Sequence, residues 1–346
     1  MPAQISVLKS SDYAGWDAFV NGHGQGTFCH LSGWKTAIEQ GAGQHCPYLI
    51  AKQDGVVVGI LPLTIKKHFI FGKALISNMF CVYGGALGVD GDIVNDLYEH
   101  AWRFALDHRL PVFEVRAEVP EHTGSDDWIT ASGSATFKKQ LASNDDEQLL
   151  AVPRKQRAVI RKSLKNQLVT NWTGDLNLFY DLYARSVLAL GTPVFPKKLF
   201  AALIAVFGDA VQIQLTSCPD GRPAASLMSF YFNQTVMPYY AGGSVLVRPL
   251  AAHDFMYYNL MLHARERGCS TFDFGRSKID SGPFRFKKNW GFEPLPLRYC
   301  SRLAPGAKQP NLSQNAGPFA TMSKVWKKLP LGVSKILGPP LARHLG

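Results

Sequence analysis

Short apolar runs separated by turn residues dominate the chain, and their order recurs. Tyr48-Leu49-Ile50-Ala51 is followed by Asp54-Gly55 and then by Val56–Leu63. This is the pattern of two strands joined by a tight turn, because Asp-Gly takes the left-handed conformations that such a turn needs. Ile76–Val82 comes next and ends in Tyr83-Gly84-Gly85. Over Asp92–His108 the apolar residues recur at helical spacing, and Val112–Arg116 reads as a further short strand. The order then returns. Val211–Thr216, Asp220-Gly221 and Ala224–Phe232 read as strand, turn and strand; Val236–Tyr240 runs into Tyr240-Ala241-Gly242-Gly243; a helix covers Ala252–Arg267; Thr271–Phe274 is again a strand. The matched turns lie 166 residues apart and the matched Tyr/Gly elements 157 apart, which is two copies of one domain rather than a solenoid. Hairpins mixed with helices predict an α/β (α+β) fold with mixed, mainly antiparallel sheets flanked by helices.

The expected boundaries are residues 1–150 and 151–305 for the two domains, with a linker and tail over 306–346. Their junction falls near Asp145–Pro153, where Asp145, Asp146 and Glu147 suit a helix start. Gln309–Pro318, rich in Pro, Asn, Gly and Ser, reads as a linker. Met322–Leu345 then mixes cationic and apolar residues, with Pro330, Gly332 and Gly338 expected to interrupt any long helix.

At 346 residues, 46% apolar and 18% charged, the chain has the length of two domains and enough apolar material for real cores, which excludes a mainly disordered protein. No transmembrane helix is expected: the charge-free run Pro223–Val247 is broken by Asn233, Gln234, Pro238 and Gly242-Gly243. No signal peptide is visible after Met1-Pro2-Ala3-Gln4. Cys29, Cys46, Cys81, Cys218, Cys269 and Cys300 are scattered and form no C-x-x-C. That argues against a metal site or a disulfide scaffold and fits a cytoplasmic protein. The net charge of +11 is uneven: residues 1–150 hold 11 basic and 17 acidic side chains, and the remainder 26 and 9. An anionic partner on the C-terminal half follows, be it nucleic acid, phosphorylated substrate or membrane surface.

Two basic segments stand out. Arg154–Lys165 has six positive and no negative side chains. On a helix Arg154, Arg157, Arg161 and Lys165 share one face, with Ile160, Leu164 and Leu168 as the neighbouring apolar stripe. Such a ridge suits phosphates, each of which releases counterions when neutralised. The second segment runs Thr271-Phe272-Asp273-Phe274-Gly275-Arg276-Ser277-Lys278 and then Gly282-Pro283-Phe284-Arg285-Phe286-Lys287-Lys288-Asn289-Trp290-Gly291-Phe292. Alternation of Phe284 and Phe286 with Arg285 and Lys287 puts rings and charges on opposite faces if the segment is extended.

These residues resemble the FemAB-like acyltransferases. The strand–Asp–Phe–Gly–Arg and Phe-Lys-x-x-Trp-Gly-Phe pattern from Thr271 to Phe292 looks like their C-terminal signature, Arg157–Lys165 resembles the start of their second domain, and Phe28–Trp34 resembles a first-domain element. Gly191-Thr192-Pro193-Val194-Phe195-Pro196-Lys197, Pro238–Gly243 and the ending Arg343-His344-Leu345-Gly346 are similar to the branch associated with exosortase/PEP-CTERM exopolysaccharide systems. The resemblance implies tandem GNAT-like domains and transfer of an aminoacyl or acyl group to an amine or hydroxyl of a cell-envelope or exopolysaccharide precursor, a sugar or lipid-linked phosphorylated one. It implies no tightly bound cofactor, but aminoacyl-tRNA or acyl-CoA as co-substrate. Lys287 matches the signature lysine and Tyr240 a tyrosine of the substrate groove; with Asp273 they are the candidate catalytic residues. Trp34, Lys35, Arg248, Arg276, Lys278 and Arg285 are the candidate substrate-binding residues, and Arg154, Arg157, Arg161 and Lys165 the candidate tRNA contacts. No heptad run exists for the coiled-coil arm of some relatives.

Other chemistries find no motif: there is no G-x-S-x-G elbow and no P-loop. Gly22-His23-Gly24-Gln25-Gly26 reads as a flexible loop. Before the helix at Ala252, where ordinary GNAT enzymes carry a glycine-rich CoA loop, stands Arg248-Pro249-Leu250-Ala251. The arginine is present and the glycines that let backbone N–H groups close on a pyrophosphate are not. A CoA-dependent N-acetyltransferase and a non-enzymatic polyanion-binding module remain the alternatives. In the tail, Val325, Trp326, Leu329, Val333, Ile336 and Leu337 beside Lys324, Lys327, Lys328 and Lys335 suit peripheral contact with the cytoplasmic membrane face.

Overall fold

The computed structural model describes residues 2–68, 72–117, 128–172, 174–307 and 317–345, with side chains in the last stretch described from residue 322. The N-terminal half comprises β1 (Gln4–Val7), α1 (Tyr13–Gly22), α2 (Ser32–Ala42), β2 (Leu49–Gln53), β3 (Val56–Leu61), β4 (Thr64–His68), β5 (Gly72–Ser77), β6 (Leu87–Gly88), α3 (Gly91–Asp107), β7 (Val112–Val115), β8 (Trp128–Thr136), β9 (Lys138–Gln140) and α4 (Asp145–Leu150). Then follow α5 (Arg154–Lys165), β10 (Val169–Asn171), α6 (Leu176–Leu190), α7 (Lys197–Phe207), β11 (Val211–Ser217), β12 (Pro223–Phe232), β13 (Thr235–Gly243), α8 (Val247–Leu250) and α9 (Ala252–Glu266). The chain continues through β14 (Thr271–Asp273), β15 (Ser277–Lys278), α10 (Gly282–Asn289), β16 (Leu295–Leu303), α11 (Gly317–Trp326) and α12 (Leu331–Ala342).

Local chemistry sets these boundaries. Asp90 caps α3 by accepting from the Ile93 N–H, and Val94, Leu97, Tyr98, Ala101, Trp102 and Ala105 form its buried stripe. Asp175 caps α6 by accepting from the N–H groups of Asn177 and Leu178. Ser281 caps α10, accepting from the Phe284 N–H. The segment expected to be extended over Phe284–Lys288 is therefore helical. With Pro283 just inside the start and a serine cap, α10 outcompetes the strand that the ring–charge alternation suggests.

The strands form three sheets, ordered β1-β2-β3-β6, β10-β11-β12-β13-β14-β9 and β15-β8-β16-β7-β5-β4. Most neighbours are antiparallel. The two parallel pairs carry the duplication: β5 with β7 (Ile76 opposite Glu114) and β13 with β14 (Val236 opposite Phe272), each pair bridged by a helical crossover. The sheets do not divide at Asp145–Pro153. β9 joins the sheet of C-terminal strands, whereas β15 and β16 join the other, β16 lying between β7 and β8. Without β16 both neighbours would keep an open edge. The strand expected over Ile76–Val82 stops at Ser77, and Tyr83 lies in a loop, whereas Tyr240 stays within β13.

One core spans both halves. Phe28 stacks on Phe230 with centroids 4.2 Å apart, and Trp34 meets Phe230 and Tyr239 edge to face. Such packing fixes the two halves against each other and holds the space between them open in one geometry. The tail packs on this body. Trp326 and Ala342 are buried, Gln44 donates to the Arg343 carbonyl at 2.9 Å, and Lys335 pairs with Asp181. The chain breaks between α11 and α12 around Pro330, but Gly332 and Gly338, both expected to interrupt, lie inside α12. Of the expected linker, residues 309–316 lie outside the described residues, and Gly317 and Pro318 open α11.

Candidate active site

The loop Phe274-Gly275-Arg276 leaves β14 between the two halves and forms a wall with a cavity on either side. Gly275 has φ +64°, and a Cβ there would meet the Met237 Cε at 2.7 Å. The left-handed backbone favours glycine at this position, and its missing Cβ leaves room for the Met237 side chain of β13. Met237 lines both cavities.

On one side lies a cavity of about 360 Å³ whose lining includes His23, Thr27, Tyr83, Lys138, Asn233 and Asp273. Asp273 is 2% exposed. Its Oδ1 accepts from the Gly275 N–H at 2.7 Å and from the Thr136 hydroxyl at 3.4 Å; its Oδ2 accepts from the Tyr83 hydroxyl at 2.9 Å. The Lys138 ammonium stands 3.9 Å from Oδ2 and 4.7 Å from the centre of the Tyr83 ring. A buried carboxylate needs such partners, and these leave it facing the cavity. A second cavity of about 160 Å³ shares Gln25, Thr27 and Tyr83 with the first and adds His30, Gly85 and Tyr98. The segment Gly22–Gly26, expected to be a flexible loop, is a wall of the larger cavity. A Cβ at Gly26 would sit 2.1 Å from the Val20 carbonyl oxygen, so glycine is required there. His30 pins this wall: its Nδ1 is 2.8 Å from the Thr27 hydroxyl and its Nε2 is 3.2 Å from the Gly85 carbonyl. Burial pulls its pKa down to about 4, so the ring is neutral at pH 7.

Across the wall, Cys81, Arg116, Tyr239, Arg276 and Leu345 line a cavity of about 230 Å³. Arg116 donates from Nε to Glu114 at 2.7 Å, which together with Lys66 keeps the Glu114 carboxyl below its usual range against the pull of burial. Arg116 and Arg276 lie 5.9 and 5.6 Å from the centre of the Tyr299 ring.

Lys287 stands behind the wall rather than in either cavity. It projects from α10, 8% exposed, and donates to the carbonyls of Phe274, Gly275 and Arg276 at 2.7, 2.9 and 3.1 Å. All three ammonium hydrogens are thus spent on the three successive carbonyls of the loop. Burial lowers its pKa to about 7, Asp273 opposing and Arg276 adding to the fall.

The remaining expected site residues are dispersed. Tyr240 is buried among Tyr183, Phe200 and Tyr239, and its hydroxyl has no partner among the described residues. Trp34 is a core residue donating to the Met79 carbonyl. Lys35 is consumed by Glu39 at 2.6 Å and by the Cys46 carbonyl at 2.7 Å. Arg248, Lys278 and Arg285 are exposed and line none of these cavities. The four residues of the expected ridge do share one groove on α5, where Arg154, Arg161 and Lys165 are exposed. Arg157 is turned inward to the carbonyls of Leu150 and Val152. The buried face of α5 is Gln156, Ile160 and Ser163, and Leu164, expected in the apolar stripe, is 41% exposed. The site residues that sequence reasoning missed are Tyr83, Arg116 and Lys138. Only the Tyr83-Gly84-Gly85 repeat element gave a signal for any of them.

Among the described residues no cluster of three or more His, Cys, Asp or Glu side chains could hold a metal ion, and no helix is long and apolar enough to cross a membrane.

This arrangement, two six-stranded sheets that each carry one parallel crossover, falls in a known class. Residues 154–288 match the acetyltransferase (GNAT) domain family, so the chain carries a GNAT-type domain. No curated protein matches the chain. The crystal structure of FemX superposes with a TM-score of 0.68 at 16% identity, covering 87% of this chain and 97% of FemX. L-PGS from Bacillus licheniformis gives 0.55 at 12% identity, with 96% and 98% covered. A tandem GNAT protein from the clavulanic acid biosynthesis pathway gives 0.55 at 14%, with 88% and 100% covered. At these identities the likeness is one of fold, and the fold is that of tandem GNAT proteins.

Proposed function

We propose that this protein is an acyltransferase that moves an aminoacyl or acyl group to an amine or hydroxyl of a phosphorylated, sugar- or lipid-linked envelope precursor. The donor is aminoacyl-tRNA or acyl-CoA. The observation that carries the reading is the pair of cavities on either side of the Phe274–Arg276 wall, one with a buried carboxylate, the other with two arginines. Acyl transfer brings two substrates to one carbonyl carbon. The nucleophile must lose a proton, the tetrahedral oxyanion must be stabilised and the leaving group must gain a proton. Asp273 is the group to accept the proton as the new C–N or C–O bond forms and to return it as the ester or thioester bond breaks. Tyr83 orients that carboxylate, and the Lys138 ammonium supplies positive charge beside it. Lys287 is a positioning residue, holding the wall from behind.

Two surfaces suit the macromolecular partners. Arg154, Arg161, Lys162 and Lys165 on α5 present cations to a tRNA backbone. On the docked tail, Val325, Val333, Ile336 and Leu337 face outward, Ile336 74% exposed, next to exposed Lys324 and Lys328. That combination suits the anionic face of the cytoplasmic membrane, where each lysine contributes about 1 kcal/mol.

The test is a transfer assay on the full chain, with aminoacyl-tRNA and acyl-CoA pools supplied in parallel and an envelope extract as acceptor. Transfer from one pool is expected, reduced about 100- to 10,000-fold by Asp273→Asn and less by Tyr83→Phe. No transfer from either pool, together with salt-dependent tRNA binding, makes the protein a polyanion-binding module instead.

A further inference from the structure

The smallest of the three cavities, about 160 Å³, differs from the other two in its charge. Among the described residues no Asp, Glu, Lys or Arg lines it, whereas Asp273 and Lys138 line the largest and Arg116 and Arg276 the third. Its one imidazole, His30, is neutral at pH 7. The polar side chains of this chamber are spent on the protein. Thr27 and His30 hold each other, and His30 reaches the Gly85 carbonyl. The Tyr98 hydroxyl accepts from the Ala86 N–H at 3.0 Å, and the Tyr83 hydroxyl donates to Asp273. Gln25, on the border shared with the largest cavity, has a partner too. Beyond these groups and the backbone of Gly84 and Gly85, the wall is apolar: Ala86, Leu87, Val94, Ala117 and the rings of Tyr83 and Tyr98. Its frame is fixed. The Gly84 N–H donates to the Arg116 carbonyl at 2.8 Å, and a Cβ on Gly84 would stand 2.5 Å from the Asn78 backbone nitrogen, so this loop lies hard against the end of β5. On the other side Val94 and Tyr98 belong to the buried stripe of α3.

We infer that this chamber receives the side group of the unit that is transferred, and that it selects a neutral, mainly apolar group of about six heavy atoms or fewer. The inference rests on the acyl-transfer reading for its occupant. Size sets the upper limit, since a cavity of about 150 Å³ takes up benzene. Charge sets the class. An ammonium or carboxylate moved into a wall with no counter-charge loses its water and gains no partner. Tyr83 ties the chamber to the chemistry, because its ring lines the chamber while its hydroxyl lies 2.9 Å from the Asp273 carboxylate. A group held against that ring therefore belongs to the part of a substrate next to the reacting carbon. In acyl transfer that part is the side group of the acyl or aminoacyl unit. A phosphorylated acceptor is both too large and too highly charged to enter.

Thermal unfolding of the full chain with pentanamide, a neutral acyl unit that needs no donor, tests the chamber by itself. Pentanamide is expected to raise the midpoint by about 2–3 °C near saturation. Its ω-amino counterpart, which carries an ammonium, and octanamide, which is too long, should leave the midpoint unchanged. Ala117→Leu, which fills the chamber from its half-buried edge, should abolish the rise. Val94→Ala, which enlarges the chamber, should extend the rise to octanamide. In the transfer assay the wild-type chain should favour a pentanoyl or leucyl unit over an octanoyl or lysyl unit by about 100-fold. No rise with pentanamide, or an equal rise with the ω-amino amide, overturns the chamber. So does a pentanamide response that persists in Ala117→Leu. Should Ala117→Leu fail to fold, Val94→Ala decides, and a response confined to pentanamide in that variant overturns the assignment. Pentanamide binding without transfer from any donor sinks the acyltransferase reading alone; transfer without pentanamide binding sinks the chamber alone.

Discussion

The two densest basic segments, α5 and α10, end in opposite circumstances. Both have several cations within a dozen residues and almost no acid. On α5, Arg154, Arg161, Lys162 and Lys165 stand in solvent along an open groove. On α10 the central cation, Lys287, is buried and saturated by three backbone carbonyls. The surroundings make the difference. α5 packs through one narrow face of Gln156, Ile160 and Ser163, whereas α10 lies in a nest of rings that includes Phe137, Phe274 and Trp290. Rings exclude water, so a lysine among them must find protein acceptors. A run of cations is therefore read as a surface or as a staple according to its aromatic neighbours.

The largest effect that can break this comparison is at Lys287. Lys287→Met leaves three buried carbonyls unpaired, at about 1–3 kcal/mol for each that water does not reach. It also frees the wall, and a displacement of about 1 Å there costs roughly 100-fold in transfer rate. Thermal unfolding and the transfer assay should both register the change. Lys288→Ala, one residue on and exposed, should stay within about 0.5 kcal/mol of wild type. Equal losses in the two variants would make α10 a diffuse field of charge rather than a clamp.

A pH series sharpens the same contrast. Lys287 has a folded pKa of about 7, below the value of about 10.4 for an unfolded lysine. Between these values the unfolded chain binds more protons at this site, so its contribution to stability rises with pH over that window. Transfer should move the other way as pH rises through about 7, since the neutral amine has two hydrogens for three carbonyls. Stability curves of wild type and Lys287→Met should converge in slope below pH 7 and diverge above it. Parallel curves throughout would remove the titration from Lys287.

On α5 the effects are smaller and split by residue. Arg157→Gln should destabilise by about 0.5–1.5 kcal/mol, because it strips a donor from the exposed Leu150 and half-buried Val152 carbonyls, which water can reach in part. Arg161→Gln should leave stability within about 0.5 kcal/mol. Combined Arg154, Arg161 and Lys165→Gln changes should weaken tRNA binding and flatten its salt slope by roughly 0.7–0.9 per lost contact. Unchanged binding would make the ridge a solvated face. The smallest effect belongs to the tail: Val325→Glu with Ile336→Glu should lower pelleting with anionic liposomes by several-fold and leave transfer from soluble donor unaltered. Equal pelleting excludes membrane contact through this face.

Much of the fold could be read from pattern. The helices at Asp92, Arg154 and Ala252 lie where spacing put them; α3 combines the Asp90 cap with an apolar stripe and α9 buries an apolar stripe, whereas α5 buries only Gln156, Ile160 and Ser163. The helix α10 was misread because Phe284 and Phe286 alternate like a strand, while the decisive features, Ser281 and Pro283, precede the charged run. The site was less legible than the fold. Asp273, Arg276 and Lys287 come together, being within fifteen residues on one loop and its bracing helix. Tyr83, Arg116 and Lys138 reach them from separate strands and loops as single residues, and no local spacing announces a partner that is distant in sequence. Trp34, Lys35 and Tyr240 have the right residue types, yet their neighbours satisfy or bury them elsewhere.

The position of β16 has a consequence for how the chain is made. This strand closes the gap between β7 and β8, pairing Cys300 with Val115 on one side and Leu295 with Thr136 on the other. A ribosome must release about 300 residues before that pairing can form. Until then the N-terminal sheet has two unpaired edges in its middle, open to the wrong strand or to another nascent chain. Completion of the sheet that holds β4, β5, β7 and β8 thus waits for the late half, a sequence-distant pairing of the kind that forms slowly. A cut anywhere between Gln140 and Thr271 yields two fragments that must find each other before either six-stranded sheet closes.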